Sequence, residues 1–557
     1  MLKKLYLLIT ILILCVSSVE AQKTSISEIK NGQLWVEGSP HLMIAGELHN
    51  SSASSVEYME SLWPKLKSLN LNTVLATITW DQFEPKEGEY DFEMIDYLIS
   101  SSEENGMKLV VVWFGSWKNG ESSYIPLWVK MDTNRFPRVV TEDGKQIETL
   151  SVFSEESKNA DKEAFTALMN RIKEQDKNNT VIMVQPENEV GIFQDIDYRK
   201  EALEAYNDDV PKELIYYMNE NNEILKEELK SVWEAAGKKT SGTWKDVFGD
   251  NPQSKEFFMA WHYAEYINEI AESGRAVFDL PMFVNAWIVQ QPDDLPGVYP
   301  NGGPVSRVLD IYKAAAPSID VVSPDIYLPN YKEIYEMYYR EDDNPLLVPE
   351  STLDAARAFY AFAEYNAICY SPFGVEDGAG DILFSESYGV LQELEPIIAK
   401  YQRTGKMRGI HLTQDFQDDV KYIDGFEVNL KIQDPNKPAY GLIIKTSEKE
   451  FLVSGMNFKA NFTKNVGNNI HYIGKVTEGR YEEGRWVETR WLNGDETFHN
   501  SLLRALGRRV VSEATYESKE TNFNLAEDEQ FVYSPGGKNT TDIPGIYKVI
   551  LYERPNK

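Results

Sequence analysis

Eight short apolar runs, each followed by a helical or loop segment, recur between residues 41 and 401, and this repeat limits the fold more than any other feature. The runs are HLMIAGELHN, TVLATITW, KLVVVWF, VIMV, LPMFVNAW, IDVVSPDIY, NPLLVPE and AICYSPFG. They are rich in β-branched and aromatic residues and nearly continuous in apolar character, as strands covered on both faces are. Helical spacing separates them. SSASSVEYMESLWPKLKSLNLN carries a capping-box start at Ser54 and Glu57 and a stripe of Met59, Leu62, Trp63 and Leu66. DFEMIDYLISSSEENG is stopped by Asn105-Gly106, and DKEAFTALMNRIKEQD, DAARAFYAFAEY and SYGVLQELEPIIAKYQ follow the same pattern. About eight strand–helix units in one run predict a closed (β/α)8 barrel. An open doubly wound sheet has less support, because no glycine-rich phosphate loop follows an early strand.

The repeat occupies about residues 22–406 and is interrupted once, by a helical insert at about 197–278. Within the insert, EFFMAWHYAEYINEIAESG has a stripe of Phe257, Trp261, Ala264, Ile267 and Ile270, expected to be core. Because the insert leaves from the carboxyl face of the barrel, part of it is expected to wall the cleft. From Met407 the texture changes to short alternating segments (GLIIKT, EFLVSG, HYIGKV, RWVETRW, FVYS, GIYKVILYE) separated by turn residues. Residues 407–557 therefore read as an all-β sandwich domain.

Residues 1–21 have the form of an export signal: Lys3 and Lys4, an apolar stretch from Leu5 to Val16, and Val19-Glu20-Ala21 before Gln22. An exported protein, periplasmic or secreted, with no membrane span is expected. Leu14 stands where a lipid-anchor signal at Cys15 wants a small residue, which weighs against that anchor. With Cys15 in the signal, Cys369 is left alone, so no disulfide framework is expected. No cluster has zinc spacing, and no metal or cofactor is called for. The net charge of -32 repels phosphate backbones, so nucleic acid is an unsuitable partner and a neutral substrate fits best.

Chemistry is expected at the carboxyl ends of the strands. VIMVQPENEVG ends in Gln185, Glu187, Asn188 and Glu189, groups a buried strand would not otherwise choose, and Glu350 closes NPLLVPE. Two carboxylates on separate strands suit acid and nucleophile work on a glycosidic bond. Glu189 is assigned as the acid/base, with Glu187 and Glu350 as neighbours able to raise its pKa. Asn188 is assigned to the sugar 2-hydroxyl. Glu350 is assigned as the nucleophile, with Tyr327 as its hydrogen-bond donor. Glu187 is as readily a member of an inward ion-pair network. Trp80 and Glu84 fall at the barrel mouth, Glu87 on the surface, and Trp113, Trp117, Trp128 and Trp287 near other strand ends, where indole faces suit sugars. Asn285, beside Trp287, is a further candidate contact.

The blocks WDQFEPKEGEYDF and QPENEVG resemble glycoside hydrolase family 35, known for β-galactosidases. GTWKDVFG, FMAWHYAEY, LPMFVNAW and SPFGVEDG resemble its bacterial subgroup, which carries a C-terminal β domain of unknown function. The resemblance implies a retaining exo-glycosidase acting on carbohydrate without a cofactor, with Glu189 as acid/base and Glu350 as nucleophile. It also implies that groups at the first and third strand ends hold the terminal sugar: Glu47, His49 and Asn50 in GELHN, and part of FGSWKNG. Many members carry Ala-Glu-Trp after the third strand. This chain has Gly115-Ser116-Trp117, so the sugar-contacting carboxylate is missing. A β-galactosidase acting on plant fragments such as xyloglucan is the expected activity. Transglycosylation, another glycone, and a non-catalytic glycan-binding barrel are the alternatives.

Overall fold

The computed structural model describes residues 26–464, 469–492, 494, 497–498, 501–511 and 540–555. The export signal with Cys15 and the strand expected at FVYS lie outside the described residues. Eight parallel strands follow in chain order: β1 (Met43–Glu47), β2 (Thr73–Thr79), β3 (Lys108–Lys118), β4 (Val181–Asn188), β5 (Phe283–Trp287), β6 (Val321–Asp325), β7 (Leu347–Val348) and β8 (Cys369–Tyr370). Six of them pair in the order β7-β8-β1-β2-β3-β4, and β5 pairs with β6. Parallel bridges Val184–Met282 and Ile326–Ser351 close the two remaining seams, so the sheet is a barrel.

Alternation along each strand explains why the runs read as unbroken apolar sequence. Met43, Ala45, Leu75, Val110, Val112, Phe114, Phe283, Val321, Leu347 and Cys369 fill the barrel interior. Ile44, Val74, Ala76, Leu109, Val111 and Val184 point outward into the layer beneath the helices. A lead-in hairpin, Ser27–Lys30 with Gln33–Val36, adds Leu34 and Val36 to the interior cluster. The interior is thus filled from one end, and the other end is left for chemistry.

Two local expectations are corrected. The first helix is capped by Ser55, whose side chain accepts from the Tyr58 N–H, rather than by Ser54. It then breaks after Glu60 and resumes as Trp63–Ser68, with Pro64 in its first turn, where a missing N–H costs nothing. The insert forms five helices, ending in Pro252–Val277. The stripe Phe257, Trp261, Ala264, Ile267 and Ile270 is buried, as core.

The C-terminal region is a two-sheet sandwich. One sheet has six strands, in the order 407–412, 439–445, 450–456, 545–555, 469–482, 485–492; the other has four, 418–423, 426–432, 458–464 and 503–505. Ile410, Val428, Leu430, Ile443, Phe451, Val453, Phe458 and Val549 fill the space between them. Met407, Leu442, Ile444, Leu452 and Met456 face the other way and join the barrel's outer core. The six-stranded sheet is therefore covered on both faces, and Tyr440 packs edge-on to Phe359 of the barrel helix Ala355–Glu364. Among the described residues no helix is long and apolar enough to cross a membrane.

Candidate active site

The end of β4 turns on two residues in left-handed backbone conformation, Glu187 (φ 63°) and Glu189 (φ 42°). Such conformations cost roughly 1–3 kcal/mol each away from glycine and persist where surrounding structure holds them. Here the two carboxylates are held on opposite sides. Glu187 accepts from the backbone N–H groups of Ser116 (3.0 Å) and Trp117 (2.8 Å) and faces Asp161 on the helix Glu155–Gln175. Burial and the Asp161 charge push its carboxyl well above the usual range. Asp161 in turn accepts from Trp113 Nε1 (2.9 Å) and Ser116 Oγ (2.6 Å). This sealed network fastens the end of β3 to β4 and leaves no room for a side chain at Gly115, where a Cβ would lie 2.7 Å from both Asp161 Oδ1 and Glu187 Oε1.

Glu189 faces the barrel mouth. Its backbone N–H donates to Asn285 Oδ1 (3.0 Å), which also accepts from Gln185 Nε2 (3.1 Å). The Asn285 amide donates to Asp325 Oδ2 (2.8 Å) and Glu350 Oε1 (3.3 Å). Glu350 further accepts from Tyr327 OH (2.9 Å) and, at 3.5 Å, from Asn188 Nδ2. Lys118 Nζ lies 3.9 Å from Glu189 and 3.8 Å from Glu350. One carboxylate oxygen from each of Glu189, Asp325 and Glu350 lies within 4.8 Å of the others. Those three acids border a cavity of about 270 Å3, with Asn50, Lys118, Asn119, Trp287, Tyr327 and Phe373 among its other walls.

Burial, then the Glu350 charge, pushes Glu189 up to about 7, against the opposing field of Lys118. Burial and Glu350 raise Glu47 and Asp325 well above the carboxylate range. Burial alone would lower Lys118, but Glu350, Glu189, Glu47 and Asp325 outweigh it and hold the ammonium above its ordinary value. Burial and neighbouring charge thus favour the neutral form of Glu189, Glu47 and Asp325, with the Lys118 ammonium set between Glu189 and Glu350, the acid with the richest set of donors. An acid-rich cavity made neutral in this way suits a neutral polyol. On the cavity walls, Asn50 Oδ1 and Asn119 Oδ1 are buried with no hydrogen-bond partner, acceptors that hydroxyl groups would satisfy.

The structure brings Glu189, Glu350, Asn188, Asn285 and Tyr327 into mutual contact, with Trp287 on the cavity wall. Glu47 lies close enough for the Glu350 and Glu189 charges to act on it but does not line the cavity. Other candidates lie elsewhere. His49 bonds to Asp377 at 2.8 Å on the exposed rim. Trp80 is buried with its N–H on Glu84 Oε2 (2.7 Å), and Trp117 is buried with its N–H on the Leu150 carbonyl (3.2 Å) and its ring against Tyr263 and Tyr266. Trp113 and Trp128 likewise spend their N–H groups on interior acceptors. The cleft expected to be lined by several tryptophans therefore has one on its wall. No insert residue is among the cavity walls, so the insert is not the wall it was expected to be. Lys118 and Asn119 fall in FGSWKNG, which the resemblance pointed to only as a segment; Asp325 is the functional candidate sequence reasoning missed, though it carried a signal, a carboxylate closing the buried run of β6.

Residues 33–260 match the model of "Glycosyl hydrolases family 35", and residues 384–504 match "Domain of unknown function (DUF5597)". "Beta-galactosidase 8" of Oryza sativa subsp. japonica is 24% identical over 527 residues, spanning 86% of this chain and 74% of that protein. Among solved structures, the β-galactosidase of Bacillus circulans sp. alkalophilus is 16% identical with a TM-score of 0.44 over 65% of this chain. The cold-adapted β-galactosidase of Rahnella sp. R3 is 15% identical with a TM-score of 0.44 over 64% of this chain. The chain spans 57% of the length of each of these two structures.

Proposed function

We propose, on the match of residues 33–260 to glycosyl hydrolases family 35, that this chain is a retaining, exo-acting β-galactosidase. Its substrates are terminal β-galactosyl residues of plant oligo- and polysaccharides such as xyloglucan fragments. The observation that carries the reading is the approach of Glu189 and Glu350, whose oxygens come within 4.8 Å across one cavity. Carboxyl groups about 5–5.5 Å apart suit attack by one of them on the sugar, whereas about 6.5–9.5 Å leaves room for the water of an inverting enzyme.

In the first step Glu350 attacks the anomeric carbon while Glu189 delivers its proton to the departing glycosidic oxygen. In the second, Glu189 takes a proton from water, the water oxygen attacks the anomeric carbon, and Glu350 leaves as carboxylate. Asn188, donating toward Glu350, is placed to reach the 2-hydroxyl. A cavity of about 270 Å3 supports removal of one terminal sugar rather than cleavage along a groove. Galactose is favoured by the family and by the named rice relative. The opposing feature is Ser116, whose hydroxyl is turned to Asp161 and Tyr266.

A panel of nitrophenyl β-glycosides of galactose, glucose, arabinose and N-acetylglucosamine tests the glycone, with the galactoside expected to be cleaved fastest; turnover of none would contradict the reading. Azide tests the route. Glu189→Ala with azide should yield the β-glycosyl azide, and Glu350→Gly with azide the α-glycosyl azide. Failure of both rescues would sink the double displacement.

We also propose export, on the form of residues 1–21. A mature chain beginning at Gln22 in the periplasmic or culture fraction is expected, and a chain retaining Met1 in the cytosol would contradict it.

A further inference from the structure

Resting on that glycosidase reading, we propose that Lys118 is a positioning residue of the reaction: its ammonium, fixed between Glu189 and Glu350, supplies the positive charge against which each of them in turn carries its negative charge. Its placement is rigid. Lys118 sits opposite Asn188 in the β3–β4 ladder, and its backbone N–H donates to the Glu121 carbonyl at 2.8 Å. The side chain is buried, with Nζ 5.0 Å from the centre of the Phe114 ring. Nζ is almost equidistant from the two carboxylates, 3.9 Å from Glu189 and 3.8 Å from Glu350.

The groups that face it come from four strand ends: Glu47 from β1, Glu189 beyond β4, Asp325 from β6 and Glu350 beyond β7. Tyr327 adds a hydroxyl on Glu350. Among the described residues no other lysine, arginine or histidine walls the cavity. Without a cation, buried carboxylates this close share protons, and an ionised nucleophile is hard to hold. The ammonium opposes the rise in the proton affinity of Glu189 and lies as close to Glu350. Glu350 also accepts from Tyr327 and Asn285, and Glu189 is pushed up to about 7.

The same cation serves the second step. Once Glu350 is esterified by the sugar its charge is gone, and with it the neighbouring charge that, after burial, raised Glu189. Lys118 then acts on Glu189 against burial alone, which favours Glu189 as the base that water requires. Lys118 keeps its own proton throughout; the protons move between Glu189, the leaving oxygen and water. Residues 115 and 116 cannot take this role, because Gly115 has no room for a side chain and Ser116 is turned away to Asp161. The third strand end therefore brings an ammonium to the cavity where many family members bring a carboxylate.

The test compares wild type with Lys118→Met and Lys118→Arg, using the glycoside that wild type cleaves fastest. A wrong glycone would then overturn the galactosidase reading and leave this test intact. Two profiles are recorded: kcat/KM against pH, and the rate of trapping by the 2,4-dinitrophenyl 2-deoxy-2-fluoro glycoside, whose leaving group needs no acid and so reads Glu350 alone. In Lys118→Met both limbs of kcat/KM and the trapping limb should move to higher pH by about one unit or more. Lys118→Arg should bring them back toward wild type whatever happens to KM. Limbs left at their wild-type positions in Lys118→Met, at any reduced rate, would overturn the proposal, because lost packing alone does not move them. If Lys118→Met does not fold, Lys118→Gln carries the same comparison.

Discussion

Glu187 and Glu189 lie two residues apart on one strand end, both buried and both in left-handed backbone conformation, yet they belong to different clusters. Behind the strand, Glu187 meets Asp161, two backbone N–H groups and the Trp113 and Ser116 network, sealed by side chains that leave no space even for a Cβ at Gly115. In front, Glu189 meets Glu350, Asp325 and Lys118 around an open volume of about 270 Å3. Burial raises the proton affinity of both glutamates. A perturbed carboxylate is therefore a poor marker of function by itself. What separates the two is a cation with room for a substrate beside it.

That contrast orders the expected effects of substitution. On the proposed roles, Glu350→Ala removes the nucleophile and should lower kcat/KM about 10^4-fold or more, with little change in the urea midpoint. Glu189→Ala should cost about 10^2–10^4-fold on an alkyl or sugar leaving group and far less on a 2,4-dinitrophenyl glycoside, which does not need the acid. Glu187→Ala inverts the pattern. It strands the Ser116 and Trp117 N–H groups and should destabilise the fold by about 3 kcal/mol in urea unfolding, with no change in leaving-group dependence. Should Glu187→Ala instead act like Glu189→Ala, the division into a fastening cluster and a reacting cluster fails. Tyr327→Phe, which removes one of several donors to Glu350, should cost about tenfold in kcat/KM.

The pH dependence sharpens the same contrast. In its proposed role Glu189 acts as acid only while protonated, and its pKa is raised to about 7. kcat/KM should therefore be sustained below that value and fall as pH rises through it. Glu187→Ala should leave this limb in place, since the sealed cluster is not among the groups that raise Glu189.

Much of this was legible before any coordinates. The eight runs, their order and the change of texture at Met407 follow from period and apolar content, which are properties of local sequence. Glu189 and Glu350 stood out because a carboxylate at the end of a buried run needs a reason. The tryptophans misled for a physical cause: an indole at a strand end can turn toward the cleft or back into the shell, and a nearby acceptor such as Glu84 or Asp161 decides it. Lys118 was illegible for a similar reason. Nothing in FGSWKNG says that the lysine, rather than the serine two places earlier, points inward; the sealed pair Glu187–Asp161 makes that choice from distant parts of the chain.

The central claim is that Glu350 forms a bond to the sugar while Glu189 faces it. The most direct measurement is peptide mass mapping after inactivation by the 2-deoxy-2-fluoro derivative of the cleaved glycoside. One fluoroglycosyl adduct on Glu350, released as turnover resumes, is the expected result. An adduct on Asp325 or Glu189, or full hydrolytic activity with no adduct and an inverted first product, would contradict it.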